Sequence, residues 1–430
     1  MAIIEASIPL FFLLILVELA VAHRRRRSLY RLNDSISDLS CGILSQLLGI
    51  FIKLIVLGAY AWCVRHLSLQ RFGVLPAWID RVPFGASAIP GPWGIDWAAW
   101  TSWLLAFLLV DLAYYFLHRY SHTIHLLWAG HVVHHSSEEY NLTVALRQSA
   151  LHGLFSWVFF VPLAIIGLPW ELFAACYALN LVYQFWIHTR EIDRLPLGLE
   201  WWLNTPSHHR VHHGVNPQYQ DKNYAGTLII WDRLFGTFEP EVEPVVYGIT
   251  TPLESWNPVW ANVHIFAGIM RNAWNTRRLA DKWRVVFGHP GFVPPDLAAS
   301  VAAPGMAWPM HAPQFDPVVP RGQQMYAAAQ FLTILVAAYL TLVSAGSLAA
   351  QEIAAMLFFV TLGLANVSAL FEGRTWVFGI EFARLATIAS AATVFLMRAD
   401  HTALAGAALV VSLVSLLWCC RLRLVAQRSS

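Results

Sequence analysis

Charge is what this 430-residue sequence has least of: Asp, Glu, Lys and Arg together make up 13%, against 57% hydrophobic residues. A soluble domain has about a quarter of its residues charged, and a chain this long cannot cover its surface with so few. Its outer solvent is therefore expected to be largely lipid, in line with a mean hydropathy of +0.52. An ordinary cytosolic enzyme, a disordered chain and a collagen-like chain are excluded. A formal net charge of only +2 gives no basic field for phosphates, so a nucleic-acid binder is excluded too. Cysteine is scarce as well. Cys41, Cys63, Cys176, Cys419 and Cys420 lie within or beside apolar runs with no paired or metal-ligand spacing, which does not fit a disulfide scaffold. Dinucleotide, P-loop, nucleophile-elbow and haem-attachment motifs are absent.

What is present is apolar length. Crossing about 30 Å of hydrocarbon takes roughly 20 helical residues. Such runs occur near 3–22, 40–62, 99–117, 151–168 and 170–187, and after a polar stretch near 324–345, 350–371, 376–396 and 401–420. The expected fold is all-α and polytopic, with about nine transmembrane or membrane-embedded helices and a histidine-rich helical cap on the cytoplasmic face. The fourth and fifth runs are short and meet at Leu168, Pro169 and Trp170, so a hairpin that does not fully cross is the alternative there. Arg24 to Arg27 and Arg31 follow the first run, Arg421, Arg423 and Arg428 follow the last, and 188–323 holds eleven of the 28 basic residues. Basic segments stay inside, which puts the N-terminus outside and all of these in the cytoplasm. Eight prolines within 289–320 mark a linker. The expected division is an N-terminal membrane unit with its cap (1–288), a Pro-rich linker (289–322) and a C-terminal four-helix membrane unit (323–430).

Histidine is concentrated: 12 of the 18 fall between 118 and 213. His118 and His122 form HxxxH. His131, His134 and His135 form HxxHH, and His209, His212 and His213 repeat it. At this histidine frequency one HxxHH arises by chance in about 3% of chains, and two in under about 0.1%. On a helix, positions i, i+3 and i+4 share a face, so each motif aims imidazoles at one region. Imidazole suits Fe, Zn, Cu and Ni. Without cysteine or regularly placed acids, and with more imidazoles than one Zn site takes, a dinuclear all-histidine centre is expected, with iron as the metal whose oxygen chemistry would use it. His118 ends the third run, and His188 sits where the fifth run re-emerges, so the groups converge at one membrane face beside lipid.

Second-rank candidates surround the boxes. Asp111 lies seven residues before His118; an acid within a span needs a partner, either a histidine N–H that it orients or a structural hydrogen bond between helices. Asn180, Gln184 and His188 form an i, i+4, i+8 stripe that supports His188 as a ligand. Glu138 and Glu139 follow the second box, as a solvated pair or as relay and positioning groups. His125 and His152 are off the spacing, and His208 points about 100° from His209. His23, His66, His264, His289, His311 and His401 are isolated. Glu381 and Arg384, at i and i+3, are expected to pair within a span.

At these residues the sequence resembles the fatty acid hydroxylase and sterol desaturase superfamily of membrane non-haem di-iron oxygenases, and within it the alkylglycerol monooxygenase family. The likeness runs through Trp128 to Asn141, Thr143 to Ser149, Tyr183 to Thr189, Leu203 to Gly214 and Asp221 to Asp232. One place departs from it: Thr123 stands where the vertebrate pattern has an acid. The resemblance implies metal ligands His118, His122, His131, His134, His135, His188, His209, His212 and His213. It further implies two irons, O₂, a membrane lipid substrate, and an external reductant, with tetrahydrobiopterin as the suspected donor. The expected reaction is hydroxylation of the ether-linked carbon of an alkylglycerol, releasing fatty aldehyde, at the cytoplasmic face of a bacterial inner membrane or of the endoplasmic reticulum. A sterol or fatty-acyl hydroxylase or desaturase is the rival within the superfamily. A histidine-cluster metal transporter is the rival outside it, and it predicts ligands along the middle of the spans.

Overall fold

The structure is a computed structural model and describes residues 2–76, 78, 96–298, 313–397 and 402–429. The middle of the expected linker, with Pro304, Pro309 and His311, lies outside the described residues, as does His401. The described chain is helical, with one isolated antiparallel bridge, Leu203 to Leu228. In chain order the helices are α1 (Ala2–Arg24), α2 (Leu32–Leu67), α3 (Trp97–Thr123), α4 (His125–His135), α5 (Gly153–Ser156), α6 (Val161–Ile165), α7 (Trp170–Trp186), α8 (Leu199–Trp202), α9 (Pro206–His212), α10 (Ile230–Phe235), α11 (Pro258–Asn275), α12 (Leu279–Phe287), α13 (Arg321–Ser344), α14 (Ala350–Phe371), α15 (Val377–Met397) and α16 (Thr402–Ser429).

Seven of these are long and apolar enough to cross a membrane: α1, α2, α3 and α13 to α16. The fourth and fifth apolar runs are not among them. Residues 153–165 break into two short helices around a 3-10 turn, and α7 has 17 residues. Gly167 explains the sharp reversal between them. Its φ is +82°, and a Cβ there would sit 2.5 Å from the Gln70 side chain, so only glycine fits. At the other extreme, α2 runs for 36 residues, about 54 Å at 1.5 Å per residue, well beyond the hydrocarbon alone.

The chain packs as two compact units. The first comprises Met1–Arg31, Gly49–Pro252 and Asn262–Ala312; the second comprises Leu32–Leu48, Leu253–Ala261 and Pro313–Ser430. The first unit has an apolar core of Tyr60, Ala106, Val110, Phe160, Leu172, Phe173 and Cys176, with Tyr60 and Phe173 stacked. In the second unit, Glu381 and Arg384 pair at 2.7 Å, as their spacing predicts. Tyr326 and Asn366 also donate to Glu381, and Gln330 accepts from Arg384. A buried ion pair in a span is tolerable only when its remaining hydrogen-bonding capacity is met in this way.

Candidate metal centre

The first unit brings the histidine boxes together through a helix break. α3 stops at Thr123 because Ile124 is extended (φ −111°, ψ 120°), and α4 restarts at His125. His118 and His122 at the end of α3 therefore face the second box on α4. α9 carries the third box, and His188 follows α7.

Nine imidazoles converge and sort into two groups. The first is His118, His122, His131, His135 and His212; the second is His134, His188, His209 and His213. Each ring offers one nitrogen, and the nitrogens of a group lie within 4.8 Å of one another. These are the nine histidines singled out from the sequence. The sequence aimed each box at one region, whereas the structure splits both HxxHH boxes. The i and i+4 histidines of the second box join the first group and His134 joins the second; in the third box the i and i+4 pair joins the second group and His212 the first. Positions i+3 and i+4 are about 100° apart around a helix, so one box feeds two neighbouring centres.

The tautomers decide what these groups can do. The Nδ1–H of His118 donates to the Tyr224 carbonyl (2.8 Å), that of His134 to Arg147 (3.2 Å), that of His188 to Gln184 (2.7 Å) and that of His212 to Lys222 (3.0 Å). A neutral imidazole so pinned has only a lone pair at Nε2. The Nε2 atoms of His134 and His188 face each other at 3.2 Å. Two lone pairs cannot hydrogen-bond, and at that distance they call for a cation between them. Four more Nε2 pairs lie at similar distances, 3.0 Å for His118–His131, 3.1 Å for His131–His135, 3.2 Å for His135–His212 and 3.0 Å for His188–His209, with at most one ring of each pinned through Nδ1. Adjacent ligands at a metal–nitrogen distance of about 2.1 Å lie about 3.0–3.4 Å apart for bond angles of 90° to 109°. Among the described residues the buried Nε2 atoms of His122 and His213 have no hydrogen-bond partner, as unused ligand atoms would. The residues fit a pair of first-row metal ions.

Outside the spanning helices, burial first and a neighbouring imidazole second hold His131, His135, His188, His209, His212 and His213 well below 6.5. Burial likewise lowers His134 to about 4. Each is thus neutral at pH 7, the protonation state a metal requires.

A loop that the sequence did not mark as a site holds two of these carbonyls. Asp221 and Asn223 take left-handed backbone (φ +58° and +55°), a costly conformation retained where geometry matters. It aims the Lys222 and Tyr224 carbonyls at His212 and His118. Asp232 anchors this loop by accepting from the Tyr224 and Ala225 amides, both at 2.8 Å, and from Thr237 at 2.6 Å. Burial raises Asp232 to about 6.

Asp111 contacts no imidazole among the described residues. It accepts from the Thr227 and Leu228 amides (2.9 and 3.1 Å), from Trp231 Nε1 (2.9 Å) and from Asn180. Gln184 donates to Asn180 Oδ1 (2.6 Å) and accepts from Tyr114 (2.8 Å), and its own carbonyl holds His188. A Cβ on Gly226 would lie 2.7 Å from Asn180 Oδ1, so the loop is pressed onto this network. Glu138 and Glu139 are not in either histidine group: Glu139 pairs with Arg31 and Arg190, both at 2.9 Å, and Glu138 with Arg31 at 3.5 Å. The Nδ1–H of His125 donates to the Val285 carbonyl (2.9 Å), and His152 meets Ser121 at 3.3 Å; neither they nor His208 belong to the groups.

Fully buried Arg147 is a further positioning residue that the sequence did not single out. It binds the Val133 carbonyl (2.7 Å) at the end of α4 and Ser136 (2.9 Å), while its own carbonyl holds His134.

The fatty acid hydroxylase family model matches residues 103–237, the stretch that contains all nine histidines. With seven membrane-length helices and this centre, that defines a membrane lipid mono-oxygenase. The chain is 36% identical over 406 residues to the alkylglycerol monooxygenase of Xenopus tropicalis, covering 93% of this chain and 82% of that protein. It is 37% identical to the human enzyme (86% and 78%) and 37% to that of Danio rerio (90% and 81%). The chain belongs to the alkylglycerol monooxygenase family, within the fatty acid hydroxylases. No solved structure matches it.

Proposed function

We propose that the nine histidines hold two non-haem irons, and that the chain hydroxylates the ether-linked carbon of an alkylglycerol. The observation that carries the metal reading is the pinned pair His134 and His188, two lone pairs 3.2 Å apart. Iron is preferred because imidazole suits it and because a mono-oxygenase needs a metal that changes oxidation state, which zinc does not. Bound there, iron supplies the activation of O₂.

This chain's own residues supply geometry and exclusion of water. Four main-chain carbonyls fix the ligand tautomers, as outer partners do at metal sites generally. Asp111, Asn180 and Gln184 act as positioning residues through the 224–231 loop and His188. Glu138 and Glu139, with Arg31 and Arg190, fasten the segment after α4. Burial of eight of the nine histidines, with His122 half-buried, keeps bulk water from the centre.

In the reaction, one atom of O₂ enters the C–H bond of the carbon beside the ether oxygen. The other leaves as water, with two electrons and two protons from the donor. The hemiacetal so formed breaks its C–O bond to give fatty aldehyde and a glycerol derivative. Tetrahydrobiopterin is the proposed electron donor, by likeness to the family. The basic clusters Arg24 to Arg27 and Arg421 to Arg428 support a cytoplasmic centre by the positive-inside tendency.

A single-turnover assay tests the reading. Iron-loaded protein with an alkylglycerol, tetrahydrobiopterin and O₂ is expected to release fatty aldehyde in proportion to enzyme. Hydroxylation of a sterol or acyl chain without aldehyde would move the chain to the rival substrate class.

A further inference from the structure

Two helices next to the second histidine box have an outer face that the reaction does not use. In the first unit, α11 beyond Asn262 and all of α12 pack their inner sides onto α4, where Ala129, Ile269 and Val285 form a buried cluster with Phe266, Val286 and Phe292 around it. Their outer sides are apolar and open. Met270 and Trp274 are spaced i, i+4 on α11; Leu279, Trp283 and Phe287 are spaced i, i+4, i+8 on α12. Trp274 is 86%, Leu279 70% and Trp283 60% exposed, which for five large side chains in one patch needs an occupant.

Charge and position say which occupant. Residues 270–288 carry Arg271, Arg277, Arg278, Lys282 and Arg284 against Asp281 alone, and the four arginines are exposed. Tryptophan with basic residues on a short amphipathic helix is the composition of a segment lying in the plane of a bilayer surface, where anionic headgroups attract the cations. The level is fixed by a spanning helix. α3 ends at Thr123, and two residues later the His125 amide donates to the Gly288 carbonyl (2.9 Å), while His125 Nδ1 meets the Val285 carbonyl (2.9 Å). The C-terminal end of α12 is therefore tied to the point where α3 leaves the hydrocarbon.

We infer that α12 and the adjoining end of α11 form an in-plane membrane-surface element, with Trp274, Leu279, Trp283 and Phe287 at the boundary of headgroups and acyl chains and the arginines on anionic headgroups. Its inner side braces α4, so this element sets the depth of His131, His134 and His135 relative to the lipid. The inference concerns lipid contact and does not depend on which lipid is oxidised.

Spin labels on the full-length protein test it. The exposed thiol Cys420 is replaced by serine, the other four cysteines being buried. Labels are then placed by Trp274→Cys and by Trp283→Cys in nanodiscs with and without phosphatidylglycerol. Asp193→Cys, whose side chain is 94% exposed, serves as the water-facing control. Power saturation with oxygen and a nickel chelate is expected to place both labels about 5–10 Å below the headgroup level. They should lie deeper with phosphatidylglycerol than without, and R277Q, R278Q and R284Q together should remove that difference. Labels as open to nickel as the control overturn the inference. So do labels shielded from both reagents with spin–spin broadening, which would mean a second copy covers the face, and so does a depth indifferent to lipid charge.

Discussion

His134→Ala and His135→Ala, changes at adjacent positions, are expected to deplete different metals. Each should lower turnover by more than about a hundredfold, because loss even of an outer partner at a metal site costs about 10–100-fold. His134 belongs to the four-histidine group and His135 to the five-histidine group. Losing one of four leaves three imidazoles, so His134→Ala should strip its ion the more completely, while His135→Ala should keep the ion of the second group. Metal content per chain, read beside aldehyde formation, checks both. Two full metal equivalents in either variant, with near-normal turnover, would remove that residue from the ligand set. The contrast between the two tests the split of the HxxHH box, which a single shared site would not produce.

The second large effect is on stability. Asp111→Ala should destabilise the fold by several kcal/mol, at about 1–3 kcal/mol for each buried donor left without an acceptor. It would strand two backbone amides, the Trp231 indole N–H and the Asn180 amide, each expensive when unpaired. Because the stranded loop carries the Tyr224 carbonyl that fixes His118, metal retention should fall along with thermal stability. Thermal denaturation in detergent, with metal content measured on the surviving fraction, reads both. An Asp111→Ala protein of unchanged stability and metal content contradicts the positioning role given to this residue.

The sequence was informative where side chains carry the chemistry. Two HxxHH boxes and an HxxxH, with His188 supported by the Asn180 and Gln184 stripe, singled out without geometry the nine histidines that cluster. The partition into two groups was not legible. It depends on the break at Ile124 and on how α4 and α9 face each other, and neighbouring histidines at i+3 and i+4 look 100° apart whatever else the sequence holds. The tautomer-fixing carbonyls of Lys222, Tyr224, Gln184 and Arg147 were not legible either, since every residue has a carbonyl and only the path of the chain aims it. Asp111 stood out as an acid within an apolar run, yet whether it served a histidine or another helix turned on a loop more than a hundred residues later. Membrane spans were easy to find where apolar runs were unbroken. Over 151–187 Pro162 and Gly167 interrupt the runs, and the helices there are shorter than the seven long apolar ones.

The central claim is that two neighbouring all-histidine groups hold two irons. Metal analysis with Mössbauer spectroscopy on protein purified anaerobically with iron-57 tests it most directly. The account predicts two irons per chain in nitrogen-rich, non-haem environments, one in each group. Zinc in their place, or a single iron per chain after careful reconstitution, would contradict it.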